Sequence, residues 1–323
     1  MEPISVALVR ISFEEDSTNS TTGNGQFLLV NEGTDCGPYT IDPPPHDYNY
    51  FLSQLHAVNQ YFENVSYGKF GIDLAQSSIY PSSLNGNYQL SNTMDFYNPY
   101  DDPLGQEEKL TKLFKDAIEQ SYSEDAIEFS KYDLVVVFHA GIGQDFSLPF
   151  LDPTPEDIPS TYIDEDMIQE HLGESNIIVG NHAIQKGIIL PETQNHLLYD
   201  ISETMFSDAE NPCEYQYGIT GTFSLMIGFA IGLPPLWNIQ TGESGVGVFG
   251  LMDQGSNNGR GIIPAPPTAW SRIYAGWENY VIGELGSEYH LPKRSENSII
   301  KVPIRENEYY LIESRSNWIK PKV

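Results

Sequence analysis

Apolar positions along the chain fall into short blocks whose spacing changes from one element to the next. Val6-Ala7-Leu8-Val9-Arg10-Ile11 is a nearly continuous apolar run and predicts a first β-strand. Between Tyr48 and Asn64, Phe51, Leu55, Val58 and Phe62 recur at three- and four-residue steps, which predicts a helix bounded upstream by Pro43-Pro44-Pro45. Phe70–Leu74 reads as a second strand. Gln106 to Ser121 places Leu110, Leu113, Phe114 and Ile118 on one helical face. Tyr132–Phe138 is a run of the kind found in central strands covered on both sides. Ile177–Gly180 and Gly187–Leu190 suggest an edge hairpin, with a long acidic, Pro-rich loop over residues 140–175 before it. A strongly apolar helix is predicted over about 219–232. Strand-like runs at Ile299–Val302 and Tyr309–Ile312 close the chain.

Residues 215–242 carry no charge, which raises the question of a membrane span. The helical part would rise only ~21 Å at 1.5 Å per residue, against the ~30 Å of a bilayer core. Glycines and Pro234-Pro235 punctuate it further, so a buried helix in a globular domain fits better. The first ten residues lack the basic and long apolar regions of a signal peptide.

Composition narrows the function classes. With 45 acidic residues against 16 Lys and Arg, the formal net charge is −29. Such a field repels nucleic-acid phosphates and anionic membranes, which argues against nucleic-acid binding. Two cysteines, Cys36 and Cys213, form no zinc-binding cluster; the residues alone leave open two buried thiols or one long-range disulfide. Asp152, Glu156, Asp157, Asp164, Glu165 and Asp166 crowd the acidic loop and could offer hard oxygen ligands to calcium, although most such runs are simply solvated. None of the seven histidines pairs with another at i,i+4. His139, after the apolar strand, suits either a binding role or a loop-anchoring hydrogen bond. No nucleophile elbow, Walker loop or dinucleotide fingerprint is present.

The apolar helix has a second reading. In the extended zinc-protease pattern, two His at i and i+4 flank a Glu base, and a Gly turn delivers a third ligand. Anchored on Gly232, the His positions fall on Leu225 and Phe229, the base on Met226 and the third ligand on Pro235. Phe249–Ser256, centred on Met252, resembles the Met-turn of metzincins, and Ala265–Trp277 resembles the Trp-containing helix that follows it. Together with Thr22–Gly25, Cys36–Tyr39, Phe138–Asp145 and Glu308–Arg315, these blocks resemble the immune inhibitor A-like family of secreted metallopeptidases over nearly the whole chain.

That resemblance implies a zincin- or metzincin-like α/β (α+β) fold: a mixed, mostly parallel twisted sheet packed with helices, with a buried former active-site helix and a Met-turn. It implies one peptidase-like domain over 1–323, divided into subdomains of about 1–232 and 233–323. It favours a Cys36–Cys213 disulfide and an extracellular or cell-surface location. With the ligand and base positions replaced, it implies a pseudoenzyme without zinc, calcium remaining possible. The role is then structural or protein-binding, with a protein or peptide partner or self-assembly. The alternative is an active metallopeptidase with a relocated metal site.

Overall fold

The structure is a computed structural model that describes residues 2–30, 36–100, 102, 105–146, 152–199, 211–292 and 296–315. Its centre is a mostly parallel sheet. β1 (Val6–Ser12) is flanked by β2 (Ser78–Tyr80) and the two-residue β3 (Tyr88–Gln89) on one side and by β4 (Leu134–Ile142) on the other. Beyond β4 lie β8 (Gly187–Thr193) and then β5 (Thr161–Ile163), which runs antiparallel and ends the sheet. Every residue of β1, β4 and β8 is buried, so these strands are covered on both faces, and most of β1 and β4 reads as a continuous apolar run.

Alternation along the strands divides the core. Val6, Leu8, Val136, Phe138, Ile188 and Leu190 face helices α1 (Tyr48–Val65) and α5 (Thr220–Ala230). Ala7, Val9, Ile11, Val135, Val137 and Ile189 face α3 (Gln106–Asp125) and α4 (Glu165–Leu172); the short α2 (Met94–Tyr97) also joins this side. The result is a three-layer α/β arrangement, in line with the mixed, mostly parallel sheet expected from the sequence. The N-terminus of α1 is fixed by Asp47, whose side chain accepts from the Asn49 and Tyr50 amides.

A separate three-stranded sheet has the order β11 (Glu308–Ile312), β10 (Ile299–Arg305), β9 (Tyr280–Ile282). Thr268 caps α6 (Ala269–Tyr274), which adjoins it.

Three sequence expectations are corrected. Phe70–Leu74 is not a strand: only Ile72 bridges to Ile4, and Asp73 then folds the chain by accepting from the Ala75 and Gln76 amides. The neighbour of β1 is Ser78–Tyr80 instead. The hairpin is β6 (Ile177–Val179) with β7 (His182–Ile184), while Gly187–Thr193 runs through the central sheet, where Ile188, Ile189 and Leu190 are all fully buried. The 140–175 stretch is not one loop, since it holds β5 and α4. Among the described residues no helix is long and apolar enough to cross a membrane.

Candidate functional site

Helix α5 is apolar nearly all round and lies against α1, β8, β5 and the 254–257 turn. Phe223 and Ile227 are fully buried, and Met226 is 8% exposed. Leu225 and Phe229, four residues apart and so on one face, stay half-buried. The Phe229 ring stacks on Tyr162 of β5 at 6.4 Å between centroids and meets Trp237 edge-on at 5.7 Å. Beneath the helix, Met252 is fully buried, and a Cβ on Gly228 would come within 2.5 Å of its sulfur, so the close approach of helix and turn requires glycine there. Pro235 is half-buried after the exposed Gly232 turn.

The four positions aligned with zinc chemistry therefore do not all become core. Met226 does; Leu225 and Phe229 form an apolar wall that remains partly open. Beside this wall runs β5, whose outer edge pairs with no other strand among the described residues. An aromatic wall next to a free strand edge can hold an extended peptide: its backbone would pair with β5 and a side chain would lie against Phe229.

The acidic residues of the former loop are dispersed into local roles. Asp152 accepts from Gln144 Nε2 at 2.5 Å and from the Thr154 amide at 2.9 Å. Glu156 accepts from Ser20 Oγ and from the Tyr100 amide. Asp157 is buried and accepts from the amide and hydroxyl of Thr22. Asp164 caps α4 by accepting from the Met167 amide, and Glu165 and Asp166 sit in its first turn, where the helix dipole favours them. Among the described residues no group of three or more His, Cys, Asp or Glu is arranged to hold a metal ion.

His139 is fully buried in β4, with Nδ1 2.8 Å from the Ala140 carbonyl. Burial pulls its pKa down to about 4, so it is neutral near pH 7.

A concentration of buried polar chemistry lies elsewhere, at the carboxyl ends of β4 and β8. The Glu192 side chain is fully buried and accepts from four donors. One oxygen takes His46 Nδ1 at 2.5 Å and the Leu28 amide at 3.0 Å; the other takes the Gly141 amide and the Tyr199 hydroxyl, both at 2.7 Å. Gly141 offers its amide from a backbone with φ +93°, a conformation that side-chain-bearing residues rarely adopt. His46 Nε2 lies 2.9 Å from the Asp42 carbonyl, so both ring nitrogens face acceptors and the imidazolium satisfies both. Burial lowers the His46 pKa, but the Glu192 charge and hydrogen bond more than offset it, and the net direction is up. Tyr50 stacks on the His46 ring at 4.2 Å and donates to the Glu192 carbonyl at 2.7 Å.

Asp42 extends this network. Its carboxyl accepts from the Ile219 amide at 2.9 Å, just before α5, and from Gln54 Nε2 at 3.0 Å. Burial pushes its pKa up. Asn195 donates to the Ile41 carbonyl, and Gln216 accepts from both Asn195 and the Ile41 amide. The Cys36–Cys213 disulfide, with Cα atoms 5.7 Å apart, ties the same two regions of chain. Sequence reasoning missed His46 and Glu192 because they lie far apart in the chain and form no recognisable spacing. Sealed on every side, the pair acts as a structural junction rather than a substrate-facing dyad.

No protein-family model matches the chain, and a comparison with curated proteins finds no match.

Proposed function

We propose that this chain is a non-catalytic, metzincin-like protein of the immune inhibitor A-like kind, exported, that holds an extended peptide along the outer edge of β5. The observation carrying this reading is the half-exposed wall of Leu225 and Phe229 beside Tyr162 and Trp237. It stands where the zinc pattern would place two imidazoles, and Leu225 and Phe229 offer only carbon there. A peptidase cleft that loses its ligands but keeps an open apolar wall and a strand edge loses hydrolysis and retains the means of recognition. The disulfide is compatible with an oxidising, extracellular setting.

The test is incubation of the purified chain with a randomised peptide library, read by mass spectrometry for both retention and cleavage. Retained, intact peptides enriched in bulky apolar residues are expected, with retention lost in Phe229→Asp. Chelator-sensitive cleavage would overturn the non-catalytic reading, and retention unchanged in Phe229→Asp would overturn the placement of the peptide.

A further inference from the structure

A concave surface lies where α6 adjoins the three-stranded sheet. Its volume is about 190 Å³, and it is lined by Trp270 and Tyr274 from α6, Tyr280 from β9, Lys301 from β10 and Tyr309 from β11, with two aliphatic side chains completing it. Trp270 and Tyr274, four residues apart on the helix, lie nearly parallel, at 18° and 5.2 Å between centroids. They are 37% and 60% exposed.

Lys301 is the one charged side chain among the described residues of the lining. Its ammonium sits 4.0 Å from the centre of the Tyr309 ring and 4.9 Å from that of Tyr280. The ring faces hold the cation, but a π-face occupies no N–H in a directed hydrogen bond. Among the described residues, no carboxylate lies within ion-pair distance of it. In a chain with 45 acidic residues, Lys301 is thus a cation that no described carboxylate neutralises.

The helix carrying the two stacked rings is anchored. Arg272 of α6 donates to Glu278, to Glu313 just past β11 at 2.7 Å, and to the Pro267 carbonyl at 2.5 Å. The helix that carries the rings is therefore fixed before any ligand arrives, which lowers the ordering cost of binding.

We propose that this groove is a binding site for an acidic sugar residue, a pyranose ring bearing a carboxylate. Flat aromatic faces suit the C–H-rich face of a pyranose, whose hydroxyls stay in water, and the Lys301 ammonium supplies the donors a carboxylate needs. The volume falls below the ~300–1,000 Å³ of pockets that engulf a drug-sized ligand, so it takes one ring, with the rest of an oligosaccharide outside. A peptide is a poorer fit, because the groove is built from side chains on one face of the sheet and not from the unpaired backbone of an edge, which a peptide backbone would need.

The test is calorimetric titration of the full chain with oligogalacturonate, with uncharged malto-oligosaccharide and a Glu-rich peptide as parallel ligands. Oligogalacturonate is expected to bind in preference to both. Lys301→Gln should weaken it about tenfold, as loss of a charge-assisted contact does, and leave the uncharged sugar unchanged. Trp270→Ala should abolish binding. Tyr274→Ala, at a largely exposed position, serves as the second platform variant should Trp270→Ala melt early, and should also weaken binding. No heat with millimolar oligogalacturonate, equal affinity in all three variants, or tighter binding of the Glu-rich peptide would each overturn the proposal.

Discussion

Asp157→Asn should make the protein's stability depend less steeply on pH, by an amount that follows from the site. Asp157 is 1% exposed, and its two oxygens accept from the amide and hydroxyl of a single residue, Thr22. Burial pushes its pKa up from 3.8, the Thr22 bonds restrain the rise, and the balance leaves it at about 7. Between those two values the folded state keeps a proton that the unfolded chain has released. Stability from this group is complete below the unfolded value and is lost as pH rises through the folded one. Each unit costs ~1.4 kcal/mol, which accumulates to about 4 kcal/mol and levels off above about pH 8. An Asn amide can keep the Thr22 amide bond through its oxygen and donate to the hydroxyl, without titrating. Urea unfolding followed by Trp fluorescence, at steps from about pH 4 to pH 8, gives the difference between variant and parent, in which other titrating groups cancel. That difference should climb by about 4 kcal/mol in favour of Asp157→Asn. A difference constant to within ~1 kcal/mol would refute the assignment, because the carboxyl would then titrate alike in both states. A climb that calcium erases would place an ion on Asp157.

Replacing both cysteines with Ser should lower stability by about 3–5 kcal/mol, since the cross-link closes a long loop; denaturant midpoints with unchanged reductant sensitivity in the parent would count against it. His46→Ala should cost about 3–5 kcal/mol near pH 6, because it strands the Glu192 carboxylate without its cation. Since the folded His46 pKa is raised, the pair's stabilisation is complete below the ordinary imidazole value and fades as pH rises through the folded one. The penalty of His46→Ala should therefore shrink in alkali, and a penalty growing with pH would reverse the sign argued for the pair. Restoring His, Glu and His at Leu225, Met226 and Phe229 should lower stability by about 3–5 kcal/mol, most of it from the buried Met226 position. Thermal melting with and without zinc reads this; an unchanged melting point with zinc-dependent proteolysis would show that the space around these positions can accept zinc.

The strands that proved easiest to read were those buried on both faces. Val6–Ile11 and Tyr132–Phe138 have no polar alternation to confuse them, and α1 and α3 carry their apolar stripes at helical spacing. The misread segments are short or mixed. Gly187–Leu190 reads as a hairpin partner of its nearest neighbour in sequence because Pro191 and Glu192, residues a central strand seldom carries, hide the continuation of the strand to Thr193 beside β4. Asp164-Glu165-Asp166 held a legible helix start, a capping Asp followed by acids in the first turn, that the charge of the surrounding loop concealed. The apolar character of α5 was plain, yet which of its side chains would stay open depended on β5, a three-residue strand with no strong pattern. The Asp42–His46–Glu192 network was out of reach because only folding brings its members together.

Glu192 draws its four donors from four separate stretches of chain: Leu28, His46, Gly141 and Tyr199. No one of these can swing out without breaking a bond to the same carboxylate and exposing a charge whose remaining partners are then short of one. Openings that elsewhere would be independent loop excursions are thereby fused into one event. The amide protons of Leu28 and Gly141 should exchange with solvent at matched free energies, as members of one cooperative unit, although one lies in an irregular segment and the other near the end of a central strand.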